Sequence, residues 1–599
     1  MTILQELVAL YDQRAAQKDW PRPGFSSEKI GGVIVLRRDG RVEGIRDLRH
    51  PEGKKLQPQP MLVPAAFKRP GINPPAFKLW DNTAYTLGVS GKDKGTAERH
   101  KKFCTTHLDL LAEATHPDLL ALRTFCETWH PDQFAEFPDA KELLDLNLVF
   151  KVESGPYLHD LPEARELLKA EADPNSEKTA MCLVSGRKDS VARLHPSIKG
   201  VMGAQTSGAS IVSFNKAAYE SHGHEQGANA PVSKAAAFAY GTALNALLAK
   251  GSGRSLNIGD TKTVFWARGS AAEEAEDSEA ILAHVFGGSS EDRDGEAEKA
   301  EEHNLRYMLE AVASGKPPQG SHAKPKTPVF VLGLAPNAAR LSVRFWYPGE
   351  LGDFAGRVTR FWKECAIEPS PFQREGHLIP PRPWKLLLDV AARREAKNIP
   401  HDLGGDLMRA ILTGGPYPAT LLTAVLGRLR VEGEPDRKKH GNQDGRRAAM
   451  IRAVLERNTG GIPLALDENS TDVAYLLGRL FAAYTYAEDS NQQRNAGVRQ
   501  KFMGAASATP ARVFPVLMRG YENNLDALRK AGEKKASARI RTDRAVGAVI
   551  AALPPDLPAS LPLEAQGRFF IGFYHQNSAF YTKAEAPDDT AQMDMELTE

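Results

Sequence analysis

The sequence predicts an α+β protein: a mixed, sheet-containing N-terminal body followed by an all-α helical-bundle C-terminal domain. Three observations predict it. Short runs rich in Val, Phe and Trp ("LVFKV", "KTAMCLVSG", "ASIVSF", "TKTVFWA", "PVFVLGL", "RLSVRFWY") alternate with turns and helical patterns up to about residue 375. From "PRPWKLLLDVAARREA" onward strand patterns stop and helices follow one another. The chain has 599 residues, more than one hydrophobic core fills. The predicted division is an α/β body over 1–375, a helical connecting region over 376–480, a C-terminal bundle over 481–585 and an acidic tail over 586–599.

Each element has a local reason. Ile3, Leu4, Leu7, Val8, Leu10 and Tyr11 form one stripe of an N-terminal amphipathic helix. "GFSSEKIGGVIVLRRDGRVEGIRDLR" reads as two strands around Arg38-Asp39-Gly40, because Asp-Gly supplies the positive φ of a tight hairpin. Six prolines in the stretch that follows forbid a long helix there. Leu108, Leu111, Leu119, Leu120, Leu122, Phe125 and Trp129 are spaced for a buried helical face between about 95 and 145. Residues 273–302 are strongly acidic and read as a solvated insertion, a surface helix-loop-helix. Ser470 is placed to cap a bundle helix whose Val473, Leu476, Leu477, Leu480, Phe481 and Tyr484 share a face.

Composition excludes several classes. Apolar residues make up 42%, charged residues 25%, and the formal net charge is +2, so charge alone names no partner. Mean hydropathy is −0.39. Cys104, Cys126, Cys182 and Cys365 are far apart in sequence, which predicts reduced thiols in a cytoplasmic protein and no structural zinc. No uncharged apolar run reaches the length of a membrane span, and the N-terminus lacks the pattern of a secretion signal. The chain carries no GxxxxGK[ST], GxSxG or HExxH, and no cofactor is expected. His222 and His224, separated by Gly223, have the types to ligate a metal, although their glycines favour a polar turn. Asp260 reads as a carboxylate ligand or a turn residue leading into a strand.

What recurs is nucleic-acid chemistry. In the stretch 203–248 small, amide and hydroxyl residues are packed densely before a clean helix. Arg187, Lys188, Arg193, His195 and Lys199 stand immediately before Gln205, Thr206, Ser207 and Ser210, so cations that hold phosphates adjoin short polar groups that read base edges. With Lys29, the cations Arg187, Lys188, Arg193 and Lys199 are candidate phosphate contacts. Gln205, Thr206, Ser207, Ser210, Asn215 and Asn229 are candidate duplex contacts. The alternative is a Gly-rich loop whose hydroxyls bond to its own backbone. Further on, residues 494–544 hold twelve Lys or Arg against four acids, too many for one helical face, so that some cations must point outward.

Read in order, "GFSSEKIGGVIVL", "KKLQPQPMLVP", "LWDNTAYTLGV", "ARLHPSIKGVMGAQTSGASIVSFNKAAYESHGHEQGANAPVSKAAAFAYGTALNALL", "IGDTKTVFWA" and "VFVLGLAPNAARLSVRFW" resemble the large subunit of the type I-C CRISPR Cascade complex. The resemblance runs from the N-terminus past residue 350, and the acidic segment 273–302 lies outside it. It implies a non-catalytic subunit that recognises a protospacer-adjacent motif in duplex DNA, promotes R-loop formation and supports recruitment of a separate helicase-nuclease. Implied partners are a crRNA-containing Cascade with its backbone and RNA-processing subunits, target duplex and displaced single strand. A further implied partner is a small helical subunit translated from within the same gene, corresponding to about 480–585 here. In the related type I-E large subunit a glutamine wedge and a glycine-rich loop act at the minor groove, and Gln205 is an analogue by residue type. Arg529, Lys530, Lys534, Lys535, Arg539 and Arg541 are then candidates to hold the displaced strand. The competing class is a metal-dependent nuclease or hydrolase using Asp260 with His222 and His224.

Overall fold

Strand Gly32–Leu36 is buried at every position, as expected of a strand covered on both faces. Its side chains alternate: Ile34 and Leu36 enter one apolar cluster, Val33 and Val35 another. In the computed structural model, which describes residues 2–581 apart from 16–19, 53–54, 67–73, 93–94, 172–178, 215, 287–304, 375–376, 433–441 and 492–496, this strand is central to a four-stranded sheet. Val42–Asp47 pairs with it antiparallel on one side and Asn147–Val152 parallel on the other, with Trp80–Asn82 at the far edge. Helices Thr96–Leu110 and Pro117–Thr128 cover the first face through Phe103, Leu119, Leu122 and Phe125. The second face meets Ile30 and Val63 of the strand pair Phe25–Ile30 and Gln59–Pro64. The sequence's two strands around Asp39 are thus three, because the chain breaks at Gly31 and Phe25–Ile30 pairs elsewhere. The hairpin itself stands: Gly40 has φ +83, and a Cβ there would lie 2.6 Å from the Thr124 side chain.

A second four-stranded sheet is a simple antiparallel meander of Ser255–Ile258, Thr261–Ala267, Pro328–Asn337 and Arg340–Glu350. Phe265, Val331, Phe345 and Tyr347 face helices Ala272–Phe286 and Leu351–Glu364. On the opposite face Phe330 packs 5.3 Å from Trp266 and 5.8 Å from Trp346. Beyond about residue 380 every regular element is helical among the described residues. Helix Val473–Ser490 is buried almost all round, and it packs along the last helix, Leu563–Tyr581. No helix among the described residues is long and apolar enough to cross a membrane.

The chain divides into two compact units, Met1–Ser197 with Val212–Ala246, and Ile198–Ile211 with Leu247–Glu599. This packing boundary falls elsewhere than 375 and 480. In the second unit the meander's inner face and the helices as far as Phe580 share one apolar cluster, so the change from mixed to all-helical structure near 380 is not a break in the core. The predicted acidic tail lies outside the described residues.

Three local expectations are corrected. "ASIVSF" forms no strand, only isolated bridges at Ala209 and Ser210. The start of the acidic segment is a core helix: Ile281, Leu282, Val285 and Phe286 are buried, and its residues 287–302 lie outside the described residues. Glu274 on that helix is buried. Burial raises its pKa, but hydrogen bonds from Lys324, Ser270 and Thr327 outweigh that and hold it down at about 2. Finally, Asp472 rather than Ser470 caps Val473–Ser490, its side chain accepting from the Tyr475 N–H at 2.8 Å.

Candidate nucleic-acid interface

The sequence's candidate contacts fall on both compact units. Lys199, Gln205, Thr206, Ser207 and Ser210 belong to the second. They ride on a loop closed by a reciprocal backbone pair: Ile198 N–H donates to the Ala209 carbonyl at 2.8 Å, and Ala209 N–H returns the bond at 2.9 Å. Ser210 then fastens the loop to the meander, donating to the Ala339 carbonyl at 3.1 Å and accepting from Leu341 N–H at 3.0 Å. At the tip Gly208 N–H donates to the Gln205 carbonyl at 2.9 Å, and the φ of +95 at Gly208 lets that turn close. Gln205, Thr206 and Ser207 are exposed on this tip, whereas Ser210 is half-buried at its base. A rigid base beneath an exposed polar tip is a geometry suited to contact with a groove.

The first unit carries Lys29, Arg187, Lys188, Arg193 and Asn229. Lys29 is exposed on Phe25–Ile30 opposite Pro60. Arg187 and Lys188 are exposed where a short hairpin turns, between Thr179–Met181 and Lys188–Ser190. Arg193 is exposed, but its Nε donates to Gln226 Oε1 at 2.6 Å. Beside it the backbone approaches so closely that a Cβ on Gly227 would lie 2.0 Å from the Ala192 carbonyl oxygen, which only glycine allows. His195 is not a surface cation: burial lowers its pKa, and Nδ1 lies 2.6 Å from the Tyr240 hydroxyl. The Asn229 amide is engaged within its own loop, Oδ1 accepting from Ser221 N–H and Nδ2 donating to the His224 and Gln226 carbonyls. Asn215 lies outside the described residues.

The helical cations sort into two kinds. Arg529 and Lys530 are exposed at the end of Pro510–Lys530, Arg529 with an exposed Asp526 3.3 Å away. On Ala536–Ala552, Arg539 is half-buried with Asp543 at 3.8 Å, while Arg541 donates to the Phe580 carbonyl at 3.0 Å. Lys535 is half-buried, and the side chain of Lys534 is outside those described.

The alternative metal chemistry finds a different setting. His222 and His224 are exposed on a tight turn with φ +52 at His222 and +73 at Gly223, the polar turn their glycines favour. Asp260 belongs to the other compact unit, where its carboxylate lies 3.6 Å from Arg344 and 3.7 Å from His401. No group of three or more His, Cys, Asp or Glu that could hold a metal occurs among the described residues.

Sequence reasoning missed one cluster. Cys104 and Cys126, on successive helices, are free thiols that share a hydrogen bond, and His100 Nε2 lies 3.4 Å from the Cys104 sulfur. The hydrogen bond from Cys126, with His100 beside it, pulls the Cys104 thiol well below the usual thiol range despite burial. The i, i+4 spacing of His100 and Cys104 was legible; the approach of Cys126 was not.

No curated protein matches the chain. The family described as CRISPR-associated protein (Cas_Csd1) matches residues 7–581, nearly the whole chain. The mixed N-terminal sheets, the helical C-terminal part and this match lead to one conclusion: the chain belongs to the CRISPR-associated protein (Cas_Csd1) family.

Proposed function

We propose that the chain is the non-catalytic large subunit of a type I-C CRISPR Cascade. In this reading it recognises the protospacer-adjacent motif in duplex DNA, promotes opening and R-loop formation, and supports recruitment of the helicase-nuclease. It works beside crRNA, the backbone and RNA-processing subunits and a small subunit from the same gene, in the cytoplasm. The observation that carries the reading is the loop 199–208: a tip of Gln205, Thr206 and Ser207, exposed and fixed at its base by the Ile198–Ala209 pair and by Ser210 on the meander. Such a tip enters a groove without a large ordering cost. Arg187, Lys188 and Lys29, exposed, suit phosphates, which position a duplex without reading it.

The test is Gln205→Ala in the assembled complex. Affinity for motif-bearing duplex should fall by about 1–3 kcal/mol, the range for one good base contact. A target already opened by mismatched strands should lose much less. Equal losses on both substrates would make the tip a structural loop and remove its role in opening. Purified chain incubated with DNA and divalent metal should leave the DNA intact; cleavage abolished by Asp260→Ala would replace this reading with the nuclease one.

A further inference from the structure

Within the helical part of the second unit lies a cavity of about 180 Å³. An apolar cavity of about 150 Å³ accepts a benzene ring, so this one has room for a single planar ring. Phe570 and Phe573 wall it, and Asn442, Asp444 and Arg499 bring polar atoms to it. Those side chains are set in advance. Arg499 Nη2 pairs with Asp444 Oδ2, and its guanidinium sits 5.3 Å from the centre of the Phe573 ring. Asn442 accepts from Gly445 N–H at 2.9 Å and donates to the Tyr574 hydroxyl at 3.4 Å, while that hydroxyl donates to the Pro369 carbonyl at 2.5 Å.

Two buried atoms of this pair have no hydrogen-bond partner among the described residues: Asp444 Oδ1, an acceptor, and Arg499 Nε–H, a donor. The Asp444 carboxylate and the Arg499 guanidinium stand side by side in the cavity wall, an acceptor beside donors, so the cavity favours a ligand whose edge presents a donor beside an acceptor. A flat ring with that edge, received against aromatic side chains, is a nucleobase. We propose that the cavity takes one unstacked base of a single strand, a site that rests on reading the chain as a nucleic-acid-binding subunit. The rim agrees with this. Tyr581 borders the cavity with 54% of its surface exposed, offering a face to a neighbouring base. Arg541 bonds to the carbonyl of Phe580, one residue from that rim, and so brings a cation close to where the adjoining phosphate would lie.

The test uses the full chain and a single-stranded oligonucleotide carrying one central 5-bromodeoxyuridine, whose N3–H and O4 form the required edge. Irradiation should crosslink it to the 570–581 segment, and excess unmodified strand should compete that crosslink away better than the same strand abasic at that position; equal competition would overturn the pocket. Arg499→Lys, which keeps the charge beside Asp444 but removes the planar guanidinium from the cavity wall, should cut this crosslink about tenfold or more, in the range of one lost hydrogen bond to a charged group. The wild-type map needs no variant, so it stands even if Arg499→Lys folds poorly. Retention of the strand with crosslinks only on the basic helices would overturn the pocket and leave the nucleic-acid reading intact. If the strand is not retained at all, the displaced-strand role falls and the pocket with it.

Discussion

Gly478 and the carbonyl of Phe569 lie so close that a Cβ on Gly478 would sit 1.9 Å from that oxygen. Gly572 makes the reciprocal approach, its Cβ position 2.1 Å from the Tyr475 carbonyl oxygen. Helices Val473–Ser490 and Leu563–Tyr581 therefore touch backbone to backbone, and neither can yield to a side chain. Gly478→Ala should destabilise the protein by about 3 kcal/mol, at or beyond the upper range for overpacking, read as a fall in the urea midpoint. Gly547, mid-helix with nothing within 4 Å of its Cβ position, is the control: Gly547→Ala should raise stability by about 0.5–1 kcal/mol. Equal effects would mean that the helix contact is looser than described.

Arg457 and Glu364 form a buried pair, with Nη2 to Oε2 at 2.6 Å and Nε 3.0 Å from both carboxylate oxygens. The Tyr417 hydroxyl donates to the same carboxylate at 2.8 Å, and the guanidinium stacks 3.9 Å from the Tyr417 ring centre. Arg457→Met leaves the buried carboxylate with the exposed Arg360, its Nε 2.9 Å away, as remaining cation, and should cost about 3 kcal/mol, the lower end for breaking a buried pair. Adding Glu364→Gln should recover part of that loss in chemical denaturation, because the buried charge that Arg360 alone compensates is gone.

His107 is fully buried and bridges two backbone groups: Nε2 accepts from Leu79 N–H at 2.7 Å, and Nδ1 donates to the Phe103 carbonyl at 2.8 Å. That bridge requires the neutral ring, and burial lowers its pKa to about 4. A depressed folded-state pKa means that the unfolded chain binds the extra proton first. The stability due to His107 is thus complete above pH about 6.5 and is lost as pH falls towards about 4. His107→Gln should flatten the dependence of the denaturation midpoint on pH across that window, and an unchanged slope would contradict the neutral bridge.

Exposed Arg187 and Lys188 are suited to sequence-independent phosphate contact. Neutralising either should weaken binding of the complex to all duplexes alike and reduce the slope of log affinity against log salt by about one unit. No change in slope would leave that side chain as ordinary solvated surface.

Arg529 and Lys530 are exposed, and the Arg529–Asp526 pair is too solvated to hold either side chain strongly. Reversing both charges to Glu should spare initial motif binding and shorten the lifetime of the complete R-loop, followed by permanganate reactivity of the displaced strand. An R-loop as long-lived as the parent's at physiological salt would remove the strand-holding role of these two residues.

The sequence by itself determined the fold class and the longer apolar strands, since these depend on local pattern, but not short ones such as Trp80–Asn82 and Ser255–Ile258. "TKTVFWA" is the strand Thr261–Ala267 residue for residue, and the Asp39-Gly40 turn closes its hairpin where Gly40 adopts positive φ. It also carried the family, because the resemblance rests on ordered motifs that span most of the chain. Tertiary structure decided what local pattern cannot encode. Burial made the acidic Ala272–Phe286 a core helix and His195 a neutral partner of Tyr240. Satisfaction of backbone groups drew the Asn229 amide into its own loop. The unpaired Asp444 and Arg499 atoms exist only because helices far apart in sequence meet there. Periodicity and turn chemistry act over a few residues, so they are written in the sequence. Desolvation and hydrogen-bond partnership depend on which distant side chains arrive, and folding alone brings those together.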